Sequence, residues 1–153
     1  VTDSIEAQVV IAARDSLRQI SPAAGYHTRP RVEMGFRPPS PLTEPTLMVY
    51  DASGSTVERI IHYPPIWEHR VRFRIHALAV ESGEDGRVRA LLNLRHDVRR
   101  RLLRDDRTLG GLLTTQLAES EPDDTDEATG GTAGEALMDF AARVTVQDEE
   151  APA

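Results

Sequence analysis

Trp67-Glu68-His69-Arg70-Val71-Arg72-Phe73-Arg74-Ile75-His76-Ala77-Leu78-Ala79 is the stretch whose reading decides the fold. Successive side chains of a β-strand point to opposite faces, so Trp67, Val71, Phe73, Ile75, Ala77 and Ala79 fall on one side, and Glu68, Arg70, Arg72, Arg74 and His76 on the other. The reading is a long strand with one core face and one row of arginines. Upstream, Leu47 to Tyr50, the turn Asp51 to Gly54, and Val57 to Tyr63 read as strand, turn, strand, a hairpin ending at Pro64 and Pro65. Residues 37–45 hold Pro38, Pro39, Pro41 and Pro45, which lack N–H donors, so this segment is expected as a surface loop. Val32, Met34 and Phe36 alternate as in a half-buried strand.

The N-terminal region is helical by pattern. Asp3 and Glu6 match a capping box, and Ile5, Val9, Ala13, Leu17 and Ile20 follow at helical spacing, giving a helix from about Ser4 to Gln19 that Ser21-Pro22 ends. Downstream, residues 82–86 turn the chain into a second helix. Its apolar side is expected to hold Val88, Leu91, Leu92, Val98 and Leu102, with Arg87, Asn93, Asp97, Arg100, Arg101 and Arg104 outward. Asp105 to Thr108 close it. Leu109-Gly110-Gly111-Leu112 is read as the start of a strand carrying Leu113, Thr115 and Leu117. Met138, Phe140, Ala142, Val144 and Val146 alternate along a final strand. The order α-β-β-β-β-α-β-β predicts an α+β class: one domain over residues 1–148, a mostly antiparallel sheet packed against two helices, and a flexible tail at 149–153.

The 153 residues carry 25 acidic and 18 basic side chains, a net charge of −7, and every basic residue is arginine. Residues 1–118 hold 17 arginines against 14 acids, whereas residues 119–153 hold Arg143 alone against 11 acids. The acidity therefore belongs to the C-terminal part, above all the acidic and glycine-rich segment 119–134 with Asp123, Asp124, Asp126 and Glu127, which is read as a solvated loop. The chain has no cysteine, which excludes disulfides, thiolate metal sites and a cysteine nucleophile. Without lysine there is no Schiff-base amine. Apolar runs are short, so neither a membrane span nor a signal peptide is expected.

Catalytic constellations are missing from the pattern. His27, His62, His69, His76 and His96 show no metal-ligand spacing, and no serine sits in a strand-to-helix elbow. Gly110 and Gly111 follow a helix, the reverse of the order that aims a helix N-terminus at phosphate. No cofactor or metal is implied, and the expectation is a protein that is not an enzyme. What stands out is arginine: Arg70, Arg72 and Arg74 on the strand, and Arg95, Arg99, Arg100, Arg101 and Arg104 on the second helix. These suit phosphates, but no aromatic residues interleave with them and the chain is acidic, which disfavours nucleic-acid binding. Pairing with carboxylates of an adjacent copy fits better, so Arg70, Arg72, Arg74, Arg99, Arg100, Arg101, Arg104, Asp123, Asp124, Asp126 and Glu127 are candidate protein-interface residues.

The order of elements, the stretch Arg107 to Leu113 after the arginine-rich helix, the strand Glu68 to Ile75 and the closing Ala136 to Val146 together resemble the tail terminator proteins of long-tailed bacteriophages. The proline-rich and acidic segments depart from that pattern. The resemblance implies a structural virion protein at the head-proximal end of the tail, assembled in the host cytoplasm. It also implies a homo-oligomeric ring, expected as a hexamer, that caps the tube, stops its polymerisation and offers a head-tail joining surface. Its partners would be the tail tube protein and a head-completion or neck protein, with DNA passing through the lumen without sequence-specific binding and no membrane contact. A head-completion or neck connector protein is the nearest alternative, and an arginine-dependent nucleic-acid-binding module or an unrecognised hydrolase are alternatives of other classes.

Overall fold

The alternating stretch forms β4 (Pro65–Leu78), and it pairs antiparallel along nearly its whole length with β6 (Glu135–Gln147). In the computed structural model, residues 3–81, 83–120 and 134–147 are described. The register sets Phe73 opposite Phe140, and their fully buried rings stack with centroids 5.7 Å apart. Burying each such side chain is worth about 1.5–3 kcal/mol. Val71, Ile75 and Ala77 of β4 join Met138, Ala142 and Val144 of β6 on the same face, so the core is laid down by period-two patterning in both strands.

The other edge of β4 takes two strands in line. β2 (Thr46–Asp51) pairs with residues 73–78 and β3 (Thr56–His62) with residues 65–70, both antiparallel. The expected hairpin between β2 and β3 is therefore corrected: they succeed one another along β4, and the hairpin is β3 with β4. Arg72 sits at the break. Its carbonyl accepts from the Ala52 N–H at 2.9 Å and its own N–H donates to Ser55 Oγ at 3.0 Å, so residues 52–55 bulge out while keeping the β4 backbone satisfied. β1 (Arg31–Met34) lies parallel to β2, with the proline-bearing segment 37–45 as the crossover that a parallel pair requires. That segment is mostly exposed, as expected. β5 (Ala118–Ser120) closes the far edge on β6, giving the order β1-β2-β4-β6-β5 with β3 beside β4.

Both helices cover one face of this sheet. α1 (Ile5–Leu17) buries Val9, Val10, Ala13 and Leu17. Its N-cap is Ser4, whose Oγ accepts from the Ala7 N–H at 3.1 Å, so the Asp3/Glu6 capping box gives way to a serine cap one residue later. α2 (Glu84–Arg100) runs on into a π-helical turn, Arg101–Asp105. Leu94, Val98 and Leu102 are its buried stripe. Two expectations fail here: Val88 and Leu92 are exposed, and Asp97 is fully buried. The stripe is rotated because Asp97 satisfies two backbone amides from the loop after α1, a polar demand that hydropathy does not register.

Residues 109–117 do not form the expected strand. Leu109, Gly110 and Gly111 have φ of 49°, 69° and 91°, a left-handed run that no strand tolerates. The Gly110 N–H donates to Asp106 Oδ1 at 2.8 Å and the Leu113 N–H to the Thr108 carbonyl at 3.1 Å, so the chain turns instead. Leu109, Leu113 and Leu117 all insert into the core as a plug. Met34 and Phe36 also depart from expectation, being exposed where the strand pattern predicts burial. β1 ends at Met34, and Gly35 with φ 121° breaks the alternation.

Candidate interaction surface

The arginine row of β4 lies on the sheet face away from the helices. Antiparallel register places Arg74 directly opposite Asp139. Asp139 is fully buried and accepts from Arg74 Nε at 2.7 Å, Arg74 Nη2 at 3.1 Å and Arg72 Nη2 at 3.4 Å. Arg72 further donates to the Ser53 carbonyl at 3.1 Å. A carboxylate taken out of water costs several kcal/mol unless it is paired and hydrogen-bonded, and here two guanidinium forks supply both. At the start of the row, Arg70 donates to Glu68 at 2.6 Å and lies 3.9 Å from Glu58. The Glu68 hydrogen bond, reinforced by its charge, raises the pKa of Arg70 above the ordinary arginine value. At the other end, His76 Nε2 is 3.2 Å from Glu135. Along β4 these cations are met by carboxylates, with Arg70 the most exposed of the row, and the exposed Arg143 of β6 stands directly opposite Arg70.

The helical arginines form a second, separate group on the opposite side. Arg99 forks onto Glu119 at 2.9 and 3.0 Å, joining α2 to β5. Arg100 donates to the Gly25 carbonyl at 2.7 Å, lies 3.2 Å from Asp105 and stacks 4.4 Å over the Tyr26 ring. Arg101 donates to Ser16 Oγ at 3.0 Å and reaches Asp106 at 3.7 Å. These contacts fasten α2 to α1 and to the loop that follows it. Of Arg99, Arg100, Arg101 and Arg104, Arg104 projects furthest into solvent, 3.5 Å from Asp105. The structure thus does not bring the β4 and α2 arginines together. Asp123, Asp124, Asp126 and Glu127 lie outside the described residues.

Sequence reasoning passed over three features. The Tyr26 hydroxyl donates to Asp105 at 2.5 Å; burial first and this hydrogen bond second push the tyrosine pKa up, while the same hydrogen bond holds the Asp105 carboxyl below its usual range. β3 is exposed at every residue, with Val57, Ile60, Ile61 and Tyr63 presenting apolar surface. A groove of about 570 Å³ opens between the start of α1 and the ends of β1 and β2. The clue to β3 was present, since Arg59 on the apolar parity and Ile60 on the polar one break the two-residue alternation that a half-buried strand requires. Among the described residues no cluster of three or more histidines and carboxylates is placed to hold a metal ion, and no helix is long and apolar enough to cross a membrane. No protein-family model matches the chain, and no curated protein matches it in sequence.

Proposed function

We propose that this chain is a noncatalytic structural protein of the phage tail-terminator type, which assembles with copies of itself into a ring that caps a tail tube and presents a joining surface to the head. The observation that carries the reading is a small α+β domain in the element order that the resemblance gives, in which Arg74 and Arg99 are each matched to a carboxylate of another element. Charge paired within the chain suits phosphate binding poorly. Arg70, Arg72, Arg74, Arg99, Arg100, Arg101 and Arg104 each lie within 4 Å of a carboxylate of their own chain, so these arginines are already partly neutralised and release fewer counterions from a nucleic acid.

The test is mass photometry of the purified protein, alone and with tail tubes. Rings and capped tubes are the expected result, and a chain that neither forms rings nor caps tubes refutes the proposal. Presence on headless tails separates a terminator from a neck protein. Salt-sensitive DNA binding that is lost on combining Arg99→Ala with Arg100→Ala would instead favour the nucleic-acid module.

A further inference from the structure

Two apolar features have no partner within the described fold, and they complement one another. The first is the β3–β4 hairpin, where Ile60, Ile61 and Tyr63 are exposed, Tyr63 at 93%. Its cation is Arg59, which lies 4.8 Å over the Trp67 ring beside the isoleucines, while Glu58 is drawn toward Arg70. The second is the groove at the start of α1, lined by the apolar Ala7, Val10 and Met34 and by two carboxylates, Glu6 and Asp51. Phe36 stands 66% exposed at its rim. A volume of about 570 Å³ falls in the range of pockets that enclose several apolar side chains. One feature is an apolar knob beside a cation, the other an apolar hollow with two carboxylates in its lining and Arg37 lying 5.9 Å over Phe36 at its rim.

We propose that the hairpin of one copy docks in the groove of a second copy. The contact cannot close within one chain. The hairpin turn leads into Pro65, whereas Asp51 at the groove pairs with Phe73, roughly 27 Å further along β4 at about 3.4 Å per residue. A contact between two different patches is heterologous: each copy offers a hairpin forward and a groove behind, and the chain of contacts closes into a ring when the rotation per copy permits. The inference rests on self-assembly being part of the function proposed above, and it names the surfaces that carry it. Arg59 meets Glu6 and Asp51, setting direction, while Ile60, Ile61 and Tyr63 supply the buried area.

The absence of cysteine makes the test clean, because every disulfide must come from an introduced pair. Ile61→Cys on one copy and Phe36→Cys on another, mixed under mild oxidation, are expected to form mixed dimers at least ten-fold faster than either variant alone. A chain carrying both substitutions should give a ladder of linked copies ending at a closed ring. Both positions are exposed, so neither change threatens folding. Linking no faster than when Val88→Cys replaces Phe36→Cys overturns the proposal, as does faster linking of Ile61→Cys copies to one another, which would mean edge pairing of two β3 strands. Ile61→Asp should weaken self-association at least ten-fold, and Glu6→Arg combined with Arg59→Glu should associate more tightly than either single change. Rings that form and cap tubes without this cross-link overturn the contact alone; rings that carry it and do not cap tubes overturn the terminator reading alone.

Discussion

Replacing Asp97 by alanine should remove a large share of the stability of this fold. The carboxylate sits on α2 with no solvent exposure and accepts from the His27 N–H at 3.1 Å, the Thr28 N–H at 2.7 Å and the Thr28 hydroxyl at 2.6 Å. A hydrogen bond to a charged group contributes about 1.5–3 kcal/mol, and orphaning a buried donor costs about 1–3 kcal/mol more. The three bonds fall on the two oxygens of one carboxylate and do not add fully, so a loss of about 4 kcal/mol is expected out of a total of about 5–15 kcal/mol. At a urea dependence of about 2 kcal/mol per molar, the unfolding midpoint should fall by about 2 M with unchanged slope. Asp97→Asn keeps one acceptor oxygen but turns an NH2 group toward donors, for about half that loss. Thr28→Val deletes the hydroxyl alone and should cost about 1 kcal/mol. A loss below about 1 kcal/mol for Asp97→Ala, at constant slope, would refute the view that this carboxylate fastens the loop after α1 to α2.

The remaining expectations concern the helix cap, one bulge and one titrating pair. Ser4→Ala should destabilise by about 1 kcal/mol in denaturant titration, while Asp3→Ala should leave stability nearly unchanged; the reverse order would restore the capping box. Gly54 has φ of 98°, and an added Cβ would lie 2.8 Å from Arg72 Nη1, so Gly54→Ala should cost more than about 1 kcal/mol and lower the melting temperature by at least about 2 °C. Tyr26→Phe should destabilise at neutral pH, since the hydroxyl holds the Asp105 carboxylate in its charged form. Because that pKa is depressed, the stabilisation is present above the unfolded value of about 3.9 and is lost as pH falls through the folded one, so wild type and variant should converge in acid. A gap between them that stays constant from neutral pH into acid would remove Asp105 from the account. At the alkaline end, the raised Tyr26 pKa makes the wild type lose stability above about pH 10, a decline the phenylalanine variant should lack.

β4 and β6 were legible because each is buried on one face along most of its length, and burial on one face writes itself into every second residue. Pairing partners were not written there. The segments 47–50 and 57–63 have strand composition whether they pair with each other or lie in line along a third strand, and only the hydrogen bonds at Arg72 decide between the two. Residues 109–117 deceived for a related reason: Leu109, Leu113 and Leu117 recur every four residues, a spacing that fits a plugging turn as well as one face of a strand. The arginines were found, but their carboxylates were not, since Asp139 is 65 residues from Arg74 in sequence and meets it only through register. Asp97 was hidden in the same way, its amide partners lying 69 and 70 residues upstream.

The division of β4 at Arg72 gives that strand two compartments with different mechanical lives. From Phe73 to Leu78 it is held between β2 and β6 and covered by α1, whereas from Pro65 to Arg70 one neighbour is β3, whose residues all face solvent. Opening of the β3 hairpin would break only the pairs at 65–70, because β2 is anchored beyond the break and the bonds at Ala52 and Ser55 end the ladder there. β3 can therefore rearrange, bend toward a partner or be rebuilt by substitution while β4 stays paired with β6, and amide exchange should be fast in β3 and at the β4 amides that face it, and slow at those that face β6. A domain divided in this way keeps its core rigid while one arm remains free to conform to whatever it touches.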